Sequence, residues 1–166
     1  MPLSVLIVMG SDSDLEQITP AWKVLESLGV DFEVAVASAH RSPDRVMALA
    51  RTAREKGFGV VLAAAGGAAH LAGVFAAHTT LPVVAVPIVM GTLGGVDALL
   101  SAVQMPGGVP IASVGIGGAR NAGYFAAAIL SATDPELAAR LEAFRLEQTS
   151  KVGEADARVK SKLGKK

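Results

Sequence analysis

Three short segments hold most of the residues in this chain that can do chemistry. The first, Gly10-Ser11-Asp12-Ser13-Asp14, sets two hydroxyls and two carboxylates behind a glycine. Glycine lets a ligand approach the backbone, and a helix starting just beyond offers free N–H groups to an anion such as phosphate. Two aspartates would repel a phosphate unless one turns away or takes hydroxyls, so Asp14 is assigned to a ribose diol. The same serines and aspartates suit helix N-capping equally well. The second and third glycines of a dinucleotide fingerprint are missing.

The second segment, Ser38-Ala39-His40-Arg41-Ser42-Pro43, pairs a titratable group with a fixed cation. An imidazole, with an unperturbed pKa of about 6.5, both gives and takes a proton near neutral pH. A guanidinium offers a planar fork for phosphate or carboxylate. A loop-capping His40 beside a solvated Arg41 is the plainer alternative, and both readings stand from the residues alone. The third segment, Ala64-Ala65-Gly66-Gly67-Ala68-Ala69-His70-Leu71, is a run of small residues that cannot fill a core by volume. Such a run lets backbone pack closely on a ligand and groups several N–H donors into an anion nest. Close helix–sheet packing would explain the alanines but not the glycine pair followed by His. His70 reads as structural or positional, and His78 as unremarkable in its helix.

Other chemistries fit poorly. There is no cysteine, which removes disulfides, thiolate metal sites and Cys nucleophiles together. His40, His70 and His78 share no metal-ligand spacing, and no Gly-Lys-Ser/Thr loop or Gly-x-Ser-x-Gly elbow occurs. Lys plus Arg and Asp plus Glu number 15 each, so no global field draws nucleic acid or an anionic membrane. The N-terminus lacks the charged region of a signal peptide, and no uninterrupted apolar stretch reaches the ~20 residues of a membrane span. The expected location is the cytoplasm. The residues alone define an α/β enzyme that binds a small phosphorylated ligand and has one histidine acid–base.

The elements that must position these segments alternate along the chain. Apolar runs at Leu3–Met9, Phe32–Val36, Gly59–Ala64, Pro82–Val86 and Pro110–Val114 read as strands, the first apolar on both faces as in a covered parallel sheet. Helical spacing from Leu15 to Leu28 stops at Gly29, with Pro20 predicting a late start or a kink. Ser42 and Pro43 suit the N-cap and first turn of a helix to about Lys56. Further helices are expected to about His78, over Val96–Val103, from Gly117-Gly118 to about Ala132, and from Asp134-Pro135 onward. Five alternations predict a three-layer α/β/α fold around a parallel sheet, with all three segments at the carboxyl ends of strands, where ligands bind. With aromatics at 4%, the core must be aliphatic. Residues 1–150 are expected to form one domain, and 151–166 a basic, poorly ordered tail. The last helix follows another helix directly, so it is expected to leave the body and pack on a neighbouring subunit.

With their neighbours, the three segments resemble the signature blocks of the 5-(carboxyamino)imidazole ribonucleotide mutase family. Further matches are Gly95-Val96-Asp97-Ala98-Leu99-Leu100-Ser101, the run from Val103 through Gln104-Met105-Pro106 to Pro110, and Asn121. The resemblance runs from about Leu3 to Thr149. It implies a flavodoxin-like subunit assembled as a homo-octamer, with no cofactor and no metal. It implies that the chain interconverts 5-carboxyaminoimidazole and 4-carboxyaminoimidazole ribonucleotides in purine biosynthesis. By motif, His40 would transfer the proton, and Ser11, Asp14 and Arg41 would bind the ribonucleotide with Ser13 and Ser38 nearby. Gly66, Gly67, Ala68 and Leu71 would line the place where carboxylate or released carbon dioxide is held, with His70 supporting that loop. Ala72 stands where the family usually has proline, Gly115–Arg120 is shortened, and Met90-Gly91-Thr92 is atypical. An animal-type carboxylase using free carbon dioxide would carry Lys after the histidine and Arg-Ser-Asn in the small-residue block; Arg41 and Gly67-Ala68-Ala69-His70 favour the mutase. A non-catalytic nucleotide sensor would have no need of an acid–base His40.

Overall fold

The computed structural model describes residues 3–164. Five parallel strands form one sheet in the order β2-β1-β3-β4-β5. They are β1 (Ser4–Met9), β2 (Phe32–Val36), β3 (Phe58–Ala65), β4 (Val83–Pro87) and β5 (Ala112–Ser113). Helices α1 (Leu15–Ser27), α2 (Pro43–Thr52), α3 (Leu71–His78), α4 (Val96–Val103) and α5 (Ala119–Ser131) fill the connections, and α6 (Pro135–Lys162) follows α5. This is the flavodoxin-like order, whose switch point lies between β1 and β3.

The period-2 alternation of buried strands divides the core between two faces. Val5, Ile7 and Met9 of β1 join Val60, Leu62 and Ala64 of β3 in a layer with α1 and α5. Leu6 and Val8 point the other way, with Val61 and Ala63, into a layer closed by Val46, Leu71 and Phe75 of α2 and α3. Both layers are mostly aliphatic, with Phe58 and Phe75 the buried aromatics of the second. Trp22 of α1 packs at the edge of the first, stacked on Phe32 at the start of β2 with ring centroids 6.4 Å apart and planes 10° apart.

Small residues set how closely the helices approach. A Cβ on Gly123 of α5 would lie 2.5 Å from the carbonyl oxygen of Ala21 and 3.0 Å from Val24 Cβ on α1. Alanine in a helix interior gains about 0.8–1.0 kcal/mol over glycine, whereas overpacking costs about 1–3 kcal/mol. Because the obstacle is backbone, the clash wins: Gly123→Ala is expected to lower the urea midpoint. An unchanged midpoint would mean that α1 and α5 separate freely.

Helix boundaries follow local chemistry, with some departures from expectation. Gly29 has φ +64° and closes α1 in a full Schellman motif, its N–H donating to Glu26 O (3.1 Å) while Val30 N–H donates to Leu25 O (2.9 Å). Pro20 lies inside α1, which starts at Leu15 and not late. Ser42 takes the N-cap position of α2, but its hydroxyl does not cap; it accepts from Ser38 N–H (2.9 Å) and donates to Ser38 O (3.2 Å), closing the loop before the helix. α2 ends at Thr52 rather than Lys56, and β5 is only two residues long.

The largest difference is at the C-terminus. Asp134 caps α6 by accepting from Leu137 N–H at 3.0 Å, and the helix continues unbroken to Lys162, past the expected boundary at 150. Lys151, Arg158 and Lys160 each pair with an acid one turn earlier: Glu147, Glu154 and Asp156. Such i,i+4 pairs support a helix without tertiary cover. Among the described residues, no helix is long and apolar enough to cross a membrane.

Candidate active site

The loops after β1, β2 and β3 converge on one cleft of about 420 Å³. It is lined by Ser11, Ser13, Asp14, Ser38, His40, Arg41, Gly66, Ala68, His70 and Leu71. Gly67, the remaining expected site residue, does not line it. Its φ of +62° turns the chain so that Ala69 N–H donates back to Gly67 O (2.9 Å) and His70 N–H to Ala68 O (2.8 Å). Gly10, Ala39, Ala65 and Met90 also line the cleft. The first three flank expected residues, but Met90 comes from the loop after β4.

The first loop folds into a single 3-10 turn, Asp12–Asp14, ahead of α1. Ser11 and Asp14 form a capping box: Ser11 Oγ accepts from Ser13 N–H (3.3 Å), and Asp14 Oδ2 accepts from Ser11 N–H (3.1 Å). The capping alternative is therefore realised in the same residues that face the cleft. Asp14 is the one buried charged side chain among the described residues, 7% exposed.

Burial pushes the Asp14 carboxyl above its ordinary pKa of 3.8; hydrogen bonds from Ser11 N–H and Ser13 and the charge of Arg41 oppose the rise, while the neighbouring Asp12 adds to it. Between 3.8 and the raised folded value, the native state keeps a proton that the unfolded chain has released. Stability therefore falls as pH rises through that window, and the loss persists above it. Asp14→Asn removes this titration. Its melting temperature relative to the parent is expected to rise as pH increases from below 3.8 through the raised folded value and then level off, measured by paired thermal melts. A pH-independent offset would contradict the raised pKa.

Side chains tie the loops together. Arg41 donates from Nη2 to Gly10 O (3.0 Å) and from Nε to Ser38 Oγ (3.4 Å), joining the second loop to the first. His40 Nε2 lies 2.9 Å from His70 Nδ1, joining the second loop to the third. The two rings meet edge to face with centroids 5.0 Å apart. One nitrogen of that contact must carry the proton and the other accept it, so the pair can hold one proton in a defined place. Among the described residues, no group of three or more His, Asp or Glu side chains could hold a metal ion.

Fold and site together define a doubly wound α/β protein whose cleft gathers a histidine pair, a guanidinium and a run of small residues at the carboxyl ends of the strands. Residues 4–151 match the family described as AIR carboxylase, and the chain belongs to that family. A relative from Brucella melitensis is 50% identical over 156 residues, covering 93% of this chain and 96% of its own. One from Pyrococcus abyssi is 55% identical over 139 residues, covering 84% and 80%. Both are named N5-carboxyaminoimidazole ribonucleotide mutase. The solved structure of Treponema denticola PurE aligns with TM-score 0.84 at 25% identity, covering 94% of this chain and 98% of that one. A substituted PurE2 of the same organism aligns at 0.87 with 24% identity, covering 96% and 99%, a likeness of fold.

Proposed function

We propose that this chain interconverts the N5-carboxylated and C4-carboxylated forms of aminoimidazole ribonucleotide, a step of purine biosynthesis, in the cytoplasm. The observation that carries the reading is the His40–His70 pair at 2.9 Å beside the Gly66–Ala68 nest, in a chain half identical to proteins named for this reaction. Arg41 and the serine loop suit the 5′-phosphate, and Asp14 suits the ribose hydroxyls.

The substrate is a carbamate, which loses carbon dioxide once its nitrogen is protonated. His40 supplies that proton. The C–N bond breaks, its electron pair stays on nitrogen, and carbon dioxide is left against the small-residue nest. The electron-rich C4 then attacks it, forming the new C–C bond, and His40 removes the C4 proton to restore aromaticity. One imidazole serves as acid in the first step and as base in the second, so the proton it gives up at nitrogen is recovered from C4. Holding carbon dioxide beside C4 turns recarboxylation into a near-unimolecular step. This route calls for no metal, biotin or ATP.

Self-association, expected as a homo-octamer, belongs to the same proposal. Leu146, Val152, Val159 and Leu163 of α6 and its C-cap stand more than half exposed in the single chain, as a helix packing on a neighbouring subunit requires. A monomeric mass by light scattering would refute it.

The direct test of function supplies purified protein with the N-carboxylated nucleotide at low carbon dioxide and follows the C4-carboxylated product. Product without added bicarbonate or ATP supports the mutase. Product only from the decarboxylated nucleotide with high bicarbonate would replace it with a carboxylase. Binding without turnover in either case would leave a sensor.

A further inference from the structure

The loop after β4 stands outside the three signature segments, yet it closes one side of the cleft. Met90 lies directly over Gly66: a Cβ added to Gly66 would fall 2.3 Å from Met90 Sδ and 2.7 Å from its Cγ. The thioether thus fills the space that any side chain at position 66 would take. Met90 lines the cleft with Gly66, Ala68 and Leu71 while remaining half-exposed on its outer side. It has cleft on one side and solvent on the other.

The position of Met90 is set from across the fold. Gln17, in the first turns of α1, donates from Nε2 to Val89 O (3.0 Å) and accepts at Oε1 from Val89 N–H (2.8 Å). One amide side chain therefore satisfies both backbone groups of Val89, as a neighbouring strand would. Ile88 N–H is held by Ala65 O at 3.0 Å. Immediately beyond Met90 the chain enters Gly91, at φ +63°, followed by Gly94 at +57° and Gly95 at +90°. Met90 is thus the last side chain of the clamped stretch before a glycine-rich run.

We infer that Met90 roofs the compartment that retains carbon dioxide between the two half-reactions, and that Gln17 is the positioning residue that holds the roof in place. The inference rests on the proposed function. Carbon dioxide carries no net charge, has no hydrogen to donate and accepts hydrogen bonds only weakly, so N–H groups can orient it but a wall is needed to keep it. A methionine side chain is apolar, polarisable and flexible enough to fill an irregular gap, and it offers water no strong hydrogen-bonding partner. Retention then depends on how often the roof opens relative to attack by C4, and the Gln17–Val89 bonds govern that opening.

The test uses full-length protein and substrate carrying labelled carbon in the N-carboxylate, turned over in excess unlabelled bicarbonate. The readout is the fraction of label kept in the C4 carboxylate. The parent is expected to keep nearly all of it. Met90→Ala and Gln17→Ala are expected to lose label several-fold more and to lower kcat while the nucleotide KM changes little. Met90→Leu, which restores bulk without sulfur, should bring retention back; failure of this rescue would overturn the roof. A purely structural role would lower the melting temperature of the variants without label loss, and equal retention in parent and alanine variants overturns this inference alone. No product from the parent overturns the proposed function and this inference with it.

Discussion

Replacing His40 with asparagine is expected to lower turnover by about 10²- to 10⁴-fold, the range for loss of one general acid–base group, while leaving nucleotide affinity within a small factor. Asparagine approximates the size of the ring and keeps a polar atom to face His70, but it cannot exchange a proton near neutral pH. The groups suited to hold the nucleotide, Arg41 on Gly10 O and Asp14 within the capping box, sit on their own backbone anchors. Binding and chemistry should therefore separate. Calorimetric titration with the nucleotide alongside steady-state turnover measures both. Near-normal turnover would remove His40 from the proton-transfer role, and equal losses in binding and turnover would make it a binding residue.

Phe75→Ala is expected to cost about 3–5 kcal/mol, the usual penalty for emptying a buried aromatic site. Phe75 is fully buried in the α2–α3 layer, among Leu6, Val8, Val61 and Leu71. It is one of only five phenylalanines in the chain, and its neighbours are alanines, valines and leucines with little reach to fill a void. A loss of this size is a large share of the about 5–15 kcal/mol that typically holds a domain together. The damage should also reach the cleft, because α3 begins at Leu71, directly after the nest. Urea unfolding at fixed protein concentration would show the loss. A change below about 1 kcal/mol would mean that the layer collapses onto the cavity, the low-cost extreme of such substitutions.

Much of the site was legible because its residues are local in sequence. Glycine, serine and histidine at strand ends are poor fillers of a core, so each loop announced itself within a few residues. The sheet was legible for a similar reason: Val5, Ile7 and Met9 face one layer and Leu6 and Val8 the other, which yields a run apolar on both faces. Met90 stands out in the sequence only as part of an atypical stretch, and its place over Gly66 and its anchoring by Gln17 are not legible there, for the opposite reason. Gln17 reaches a backbone 72 residues away, and no pattern around either residue signals that contact. A half-exposed methionine in a loop has no periodicity to betray its role. The full length of α6 was obscured by reading the tail for net charge, when the spacing of Glu147 with Lys151 and of Glu154 with Arg158 is what supports a helix there. Ser42 shows the limit of position-based rules, since its hydroxyl closed a loop instead of capping the helix it precedes.

The stack of Trp22 on Phe32 gives the molecule an intrinsic optical reporter. Trp22 is the only tryptophan in the chain, and it rests on the first residue of β2, at the end of the sheet away from the cleft. Indole emission therefore follows the docking of α1 onto the sheet, and a ligand in the cleft has no ring beside it to quench. Fluorescence then separates two events that activity alone merges. A variant that loses turnover with its emission maximum unshifted has an intact framework, whereas a red shift marks α1 coming away from the sheet.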